Sequence, residues 1–196
     1  MRDIIKMIVV LSIISATTGA ALSYINNITA KPIAAAEFQY LKEPALKSIL
    51  PAYDNSLVED KIEVAIGEGD SAKTITVYPA KKDGKLLAIA LETFASSYGG
   101  DLGAMVGYDI EKKRLSGVSI TTMSDTPGLG TRTKEPKFID QFKNVPLDVT
   151  LALKADGGGI DAVTGASISS RAVCKAVNDA IGIIRDNGDK IISEVK

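Results

Sequence analysis

Between Met7 and Ala30 the chain carries no charged residue, and this run limits how it can fold more than any other feature. It is about 24 residues long, and roughly 20 apolar residues span a bilayer core. Its centre, Ile8-Val9-Val10-Leu11-Ser12-Ile13-Ile14, is strongly apolar. Its second half holds Thr17, Thr18, Gly19 and Ser23, which membrane helices tolerate and often turn toward a neighbouring helix. Tyr24 stands where an interfacial aromatic would. Arg2 and Lys6 precede the run, so the positive-inside rule places residues 1–6 in the cytoplasm and everything after residue 30 outside it. A cleaved signal peptide also starts basic, with an apolar run of about 7–15 residues, and Ala20-Ala21-Leu22 imitates a cleavage site. A buried helix of a soluble protein is a third reading. The expectation is a retained single-pass anchor over 7–30, followed by an extracytoplasmic domain over 31–196.

Absences then bound the chemistry. The chain has no His and one Cys, Cys174. His-based acid–base catalysis and His-ligated haem or zinc are excluded, and one thiol holds neither an iron–sulfur cluster nor an internal disulfide. A net charge of -1 with no long basic run, no Trp and 5% aromatics gives nothing for nucleic acid to bind. If the chain carries electrons, an organic cofactor or a partner chain must hold them.

The remainder predicts an α+β domain. Ile33–Leu50 has helical spacing, with Pro44 expected to kink or divide the helix and Pro51 to end it. Residues 52–72 are polar, contain Gly67 and Gly69, and leave room for one short strand over Ile62–Ile66. Strands are expected over Lys73–Pro79, Leu86–Phe94, Leu102–Ile110 and Leu115–Thr122, at least four and antiparallel, with turns at Lys82-Asp83-Gly84-Lys85 and Glu111-Lys112-Lys113-Arg114. Pro136–Phe142 reads as a short helix, Val149–Leu153 as a last strand and Asp156-Gly157-Gly158-Gly159 as irregular. Ser169 to about Asp186 reads as an amphipathic helix with Val173, Val177, Ala180, Ile181 and Ile184 on one face.

Two segments carry chemistry. Thr164-Gly165-Ala166-Ser167-Ile168-Ser169-Ser170 lies between the glycine-rich stretch and the last helix. Ser and Thr there read most simply as helix caps. The same geometry also binds phosphate, because a helix N-terminus presents free N–H groups and a positive dipole end. The second segment, Ser124-Asp125-Thr126-Pro127-Gly128-Leu129-Gly130, has Pro to fix φ and glycines for turns. It reads as an ordinary surface turn or as a source of backbone donors for a cofactor. Tyr98 and Leu129 are candidates to cover a ring, and Tyr98 equally suits a core. Cys174 reads as packing. Arg132 and Lys134 read as surface residues or as partners for an anion.

Asp161-Ala162-Val163-Thr164-Gly165-Ala166-Ser167 resembles the flavinylation motif of the FMN-binding domain family, Asp-x-x-Ser/Thr-Gly-Ala-Ser/Thr. Tyr98-Gly99-Gly100, Met105-Val106-Gly107-Tyr108-Asp109 and Thr126-Pro127-Gly128-Leu129-Gly130 occur in the order found in the G subunit of the Rnf complex, an ion-translocating ferredoxin:NAD⁺ oxidoreductase. Most members of the flavin family have Thr at the acceptor position, where this chain has Ser167, and Asp125 stands where Glu is usual. The resemblance implies FMN joined through its phosphate to Ser167 by a flavin transferase. It implies Thr164, Gly165, Ala166, Thr126, Gly128, Leu129 and Gly130 around the cofactor, other Rnf membrane subunits as partners, and a location in the cell inner (plasma) membrane with the domain on the periplasmic side. Such a protein carries electrons and needs no catalytic side chain. The C subunit of the sodium-translocating NADH:quinone reductase shares the motif and is the nearest alternative. An FMN domain serving an extracytoplasmic reductase and an unmodified membrane-tethered binding or scaffold protein are the others.

Overall fold

The computed structural model describes residues 1–67 and 73–195; residues 68–72 of the polar 52–72 stretch, Gly69 included, lie outside them. The chain forms two compact units, Met1–Leu41 and Lys42–Lys196.

Helix α1, Arg2–Glu37, makes up nearly all of the first unit and buries no side chain. Its apolar surface, including Ile8, Leu11, Ile13 and Ile14, is exposed, an arrangement that suits lipid and not water. Polar groups within it are satisfied locally: Thr17 Oγ1 donates to the Ile13 carbonyl and Thr29 Oγ1 to the Ile25 carbonyl, both at 2.8 Å. The helix is apolar and long enough to cross a membrane. It runs through Lys31 and Pro32 without the new start expected at residue 33. A π-helical turn, Phe38–Lys42, follows, and then α2, Glu43–Ile49. The expected division of the helix falls at this turn, just before Pro44. Pro44 occupies the first turn of α2, where its missing N–H costs no hydrogen bond.

The second unit is built on a five-stranded antiparallel sheet in simple meander order. Its strands are β1 (Ile62–Ile66), β2 (Lys73–Lys82), β3 (Lys85–Ser96), β4 (Asp101–Asp109) and β5 (Arg114–Thr122). The four expected long strands and the short one are all present. Lys82 pairs with Lys85 across a two-residue turn. Asp83 and Gly84 both have positive φ there, 51° and 74°, the backbone that the twist of a tight hairpin favours.

Each face of the sheet carries a helix. Helix α4, Ser167–Val195, is longer at both ends than the periodicity suggests. It packs Val173, Val177, Ala180, Ile181 and Ile184 against Ile89, Leu91 and Val106. Thr93 Oγ1 reaches across to the Ala176 carbonyl at 2.8 Å. On the opposite face α2 buries Ala45, Leu46 and Ile49. Its seat is a cross-strand glycine pair, Gly107 opposite Gly117. A methyl group at Gly107 would lie 3.1 Å from the Ile49 carbonyl oxygen, and one at Gly117 would already touch the Ile49 side chain at 3.4 Å.

Helix α3 covers Pro136–Ile139, and a 3-10 turn over Asp140–Phe142 completes the expected short helix. Phe138 and Phe142 meet edge to face at 5.4 Å. Val149–Leu153 is not a strand. Leu153 makes one isolated bridge to Ile160, and the Asn178 side chain takes up both the N–H and the carbonyl of Leu151 at 2.8 Å. Alternating apolar residues there fill the core edge from a loop, because a side-chain amide on α4 supplies the hydrogen bonds that a neighbouring strand would give.

Leu46 is fully buried under the sheet. Leu46→Ala is expected to lower the unfolding free energy by about 2–5 kcal/mol, measured by urea unfolding of the full chain in detergent micelles.

Candidate functional site

Three segments far apart in sequence meet at one end of the sheet: the β3–β4 turn (97–100), the loop after β5 (124–130) and the start of α4 (165–169). One buried side chain joins them. Asp125, 4% exposed, accepts a hydrogen bond from Ser97 Oγ at 2.5 Å and from the Gly99 N–H at 2.6 Å. It also accepts from the Ser169 hydroxyl and the Tyr98 N–H. Glycine makes this approach possible. A methyl group at Gly99 would collide with the Ser124 carbonyl oxygen, and one at Gly130 would fall 2.5 Å from Asp125 Cβ and 2.7 Å from Ser169 Oγ.

Two turns face the resulting cavity. In Thr126–Leu129 the Leu129 N–H bonds the Thr126 carbonyl at 3.2 Å, with Pro127 second and Gly128 third at φ 76°. In Val163–Ala166 the Ala166 N–H bonds the Val163 carbonyl at 3.0 Å, with Gly165 third at φ 79°. Both carry the residue signature of a type II turn, which requires positive φ at the third position. The first turn offers fewer donors than expected, because the Gly128 N–H is taken by Thr131 Oγ1 at 2.9 Å and the Leu129 N–H by the turn itself.

Ser167 does not cap α4. The first helical bond runs from the Ser170 N–H to the Ala166 carbonyl at 2.9 Å, so alanine holds the cap position. Ser170 acts as a cap from inside the helix, donating its hydroxyl to the Ala166 carbonyl and accepting from the Val163 N–H at 3.1 Å. Gln141 fixes the segment further back. Its Oε1 accepts from the Asp161 N–H at 2.7 Å, and its Nε2 donates to the Asp161 carbonyl at 3.1 Å. Ser167 is exposed, and among the described residues no hydrogen bond uses its hydroxyl. The N–H groups of Ser167, Ile168 and Ser169 have no acceptor within the helix.

The cavity has a volume of about 460 Å³, and its wall includes Tyr98, Thr126, Leu129, Gly165, Ala166 and Ser167. That lies within the usual range for small-molecule sites, roughly 300–1,000 Å³. Tyr98, Leu129 and Ile168 are exposed apolar groups on its rim, so Tyr98 is not a core residue. Of the residues predicted from the sequence, Gly130 also lines this cavity. Gly128 does not, and Thr164 faces a neighbouring space with Arg132, Lys137, Phe138 and Gln141. Arg132 is bonded to Glu135 at 3.2 Å. Cys174 is buried in α4, and burial, with the Asp156 charge second, pushes its thiol up to about 11; it is inert at neutral pH. The residues that sequence reasoning misses are Ser97, Ser169, Ser170 and Gln141. Only the serine-rich start of α4 gives a signal, and it reads as capping.

Residues 97–182 match the FMN-binding domain family, a span that includes all three converging segments. Over 180 residues the chain is 34% identical to the G subunit of the ion-translocating oxidoreductase complex of Stutzerimonas stutzeri, covering 87% of this chain and 76% of that one. With the G subunit of the same complex from Methanosarcina acetivorans it shares 29% identity over 185 residues, covering 93% and 95%. The chain belongs to the family of G subunits of ion-translocating oxidoreductase complexes, the Rnf G-subunit family. The crystal structure of Shewanella oneidensis NqrC has the same fold, with a TM-score of 0.50 and 20% identity over 66% of this chain and 70% of that one.

Burial works against ionisation of Asp125, but the Ser169 and Ser97 hydroxyls and the Gly99 and Tyr98 N–H groups outweigh it and hold the carboxyl below its ordinary 3.8. A carboxyl depressed by folding stabilises the fold above its ordinary value, and this stabilisation is lost as pH falls through the depressed value. Thermal unfolding of the cofactor-free chain, followed from about pH 7 to about pH 2, is expected to show the loss below about 3.8. Asp125→Asn should be less stable than wild type at neutral pH and lose less over the same acid window; parallel curves would contradict this assignment.

Proposed function

We propose that this chain is the FMN-bearing electron-transfer subunit of a membrane-bound, Rnf-type ion-translocating oxidoreductase, with FMN joined through its phosphate to Ser167. The observation that carries the reading is Ser167 itself: a hydroxyl with no structural employment, exposed in a ligand-sized cavity at the N-terminus of a long helix. The residues fit the group. The free N–H groups and dipole of α4 suit a phosphate, and Tyr98, Leu129 and Ile168 suit the faces of an aromatic ring.

When bound, FMN supplies the redox chemistry. The chain's residues attach, orient and tune it. Attachment requires a flavin transferase with FAD as donor. The Ser167 Oγ–phosphorus bond forms, the phosphoanhydride bond of FAD breaks, AMP leaves and the hydroxyl proton is released. Ser170 and Gln141 hold the 161–167 segment in place for that transfer. No acid–base side chain is needed afterwards, because electrons pass between the ring and a redox centre in a neighbouring membrane protein of the complex.

The anchor has its own role in this reading. Helix α1, with residues 7–30 as its bilayer-crossing part, makes the chain a single-pass inner-membrane protein whose 31–196 domain lies on the periplasmic side. A tether at each level keeps cofactor, carrier and partners at high effective concentration.

Co-expression with a flavin transferase is expected to add one FMN, less a water, to the intact mass of the wild-type chain and of Ser167→Thr. Ser167→Ala should carry none. An adduct that persists in Ser167→Ala, or is absent from wild type, overturns the linkage. Topology is tested separately by a reporter fused after Lys196: a periplasmically active reporter should be on and a cytoplasmically active one off, and the reverse result overturns the orientation.

A further inference from the structure

The wall of the Ser167 cavity contains one charged residue, Asp125. It is nearly fully buried. Among the described residues no Lys or Arg forms an ion pair with it, and Arg132, seven positions along, is engaged by Glu135. All four of its donors are neutral hydroxyl or backbone N–H groups. Such donors stabilise the ionised form but leave the net negative charge in place. That charge borders a space with an apolar rim, where it is screened less than in bulk water. The groups that face it are few. The 97–100 turn brings one titratable side chain, Tyr98, while the 126–130 loop and residues 167–169 of α4 bring none.

We propose that Asp125 is an electrostatic tuning residue: its fixed negative charge holds the reduction potential of a flavin in this cavity below the value a neutral wall would give. The inference rests on the reading that FMN occupies the cavity, and adds what sets its potential. Reduction of the ring by two electrons with uptake of one proton adds one negative charge. A resident anion against the same space opposes that gain.

A purely structural role for Asp125 is separable from this one. An asparagine has the same shape. With Oδ1 placed as in the acid it accepts from the Gly99 N–H, and its amide donates to the rotatable Ser97 hydroxyl. Asp125→Asn therefore removes the charge while keeping these two contacts partnered.

The test is a spectroelectrochemical titration of the FMN-loaded full chain in detergent, with dithionite as reductant and redox mediators present. Asp125→Asn is expected to raise the midpoint potential. In wild type the potential should also rise, beyond the slope set by proton uptake, as pH falls through the range where Asp125 protonates. Ser169→Ala weakens the hold on the ionised carboxyl and should move that inflection to higher pH. A flavin-loaded Asp125→Asn with the wild-type potential overturns the proposal. If Asp125→Asn does not fold, Ser169→Ala decides alone, and an inflection that stays in place overturns it. Absence of flavin from the wild-type chain, seen as no visible flavin absorbance and no mass adduct, overturns both this inference and the reading beneath it.

Discussion

The site depends on one buried carboxylate. The turn at 97–100, the loop at 124–130 and the head of α4 share Asp125. Burying an ionised acid is costly unless several hydrogen bonds compensate, and here donors from two of the three segments converge on an acceptor from the third. The arrangement works only at close range. Gly99 and Gly130 lack the Cβ that would otherwise collide with the Ser124 carbonyl and with Asp125 itself. Carboxylate and glycines therefore form one unit: the acid draws the backbones together, and the glycines let them come close enough to bond.

The meander explains why these segments are neighbours. In an antiparallel meander the end of β3, the start of β4 and the end of β5 lie at the same edge of the sheet. The β3–β4 turn and the loop leaving β5 are thus adjacent by topology. Helix α4 begins at that edge and crosses the sheet, with Ala176 over Thr93. Its C-terminal part reaches the first two strands, where Lys81 Nζ of β2 bonds the Val195 carbonyl and Lys190 Nζ bonds the Ala65 carbonyl of β1. The helix is pinned at both ends and packed along its length, so the position of Ser167 follows from the whole sheet.

Much of the fold is legible in the sequence because its signals are local. Charge-free length marks α1, alternation and Asp-Gly mark the β2–β3 hairpin, and helical spacing marks α4. The failures have a common cause. Val149–Leu153 alternates like a strand, but the Asn178 side chain satisfies Leu151 and no strand is needed. Pro44 marks where the helix divides, but the π-turn that makes the division leaves no mark in the sequence. In the site, the motif residues are visible and their supports are not. Ser97, Gln141 and Ser169 act through partners 28, 20 and 44 positions away, respectively, and no spacing in the sequence encodes such contacts. Asp125 stands out in the sequence only as a shorter acid than is usual there, although its place before Thr126-Pro127-Gly128 is what allows it to turn inward.

The segment 161–167 contains two exposed hydroxyls, and the structure separates them. Thr164 and Ser167 are one helical turn apart in sequence, yet the turn at Gly165 sends them to different spaces. Thr164 joins the hollow beside Arg132, Lys137, Phe138 and Gln141, while Ser167 joins the cavity with Tyr98 and Leu129. The free N–H groups of the first turn of α4 stand behind Ser167, and Thr164, which precedes the helix, has none of its own. The distinction rests on φ at Gly165, since 79° is a conformation that residues with a Cβ rarely adopt. It also rests on Ser170, which ties Val163 and Ala166 to the first turn of α4 and keeps the segment from straightening. Which of the two hydroxyls faces the cavity at the head of α4 is thus a property of the backbone.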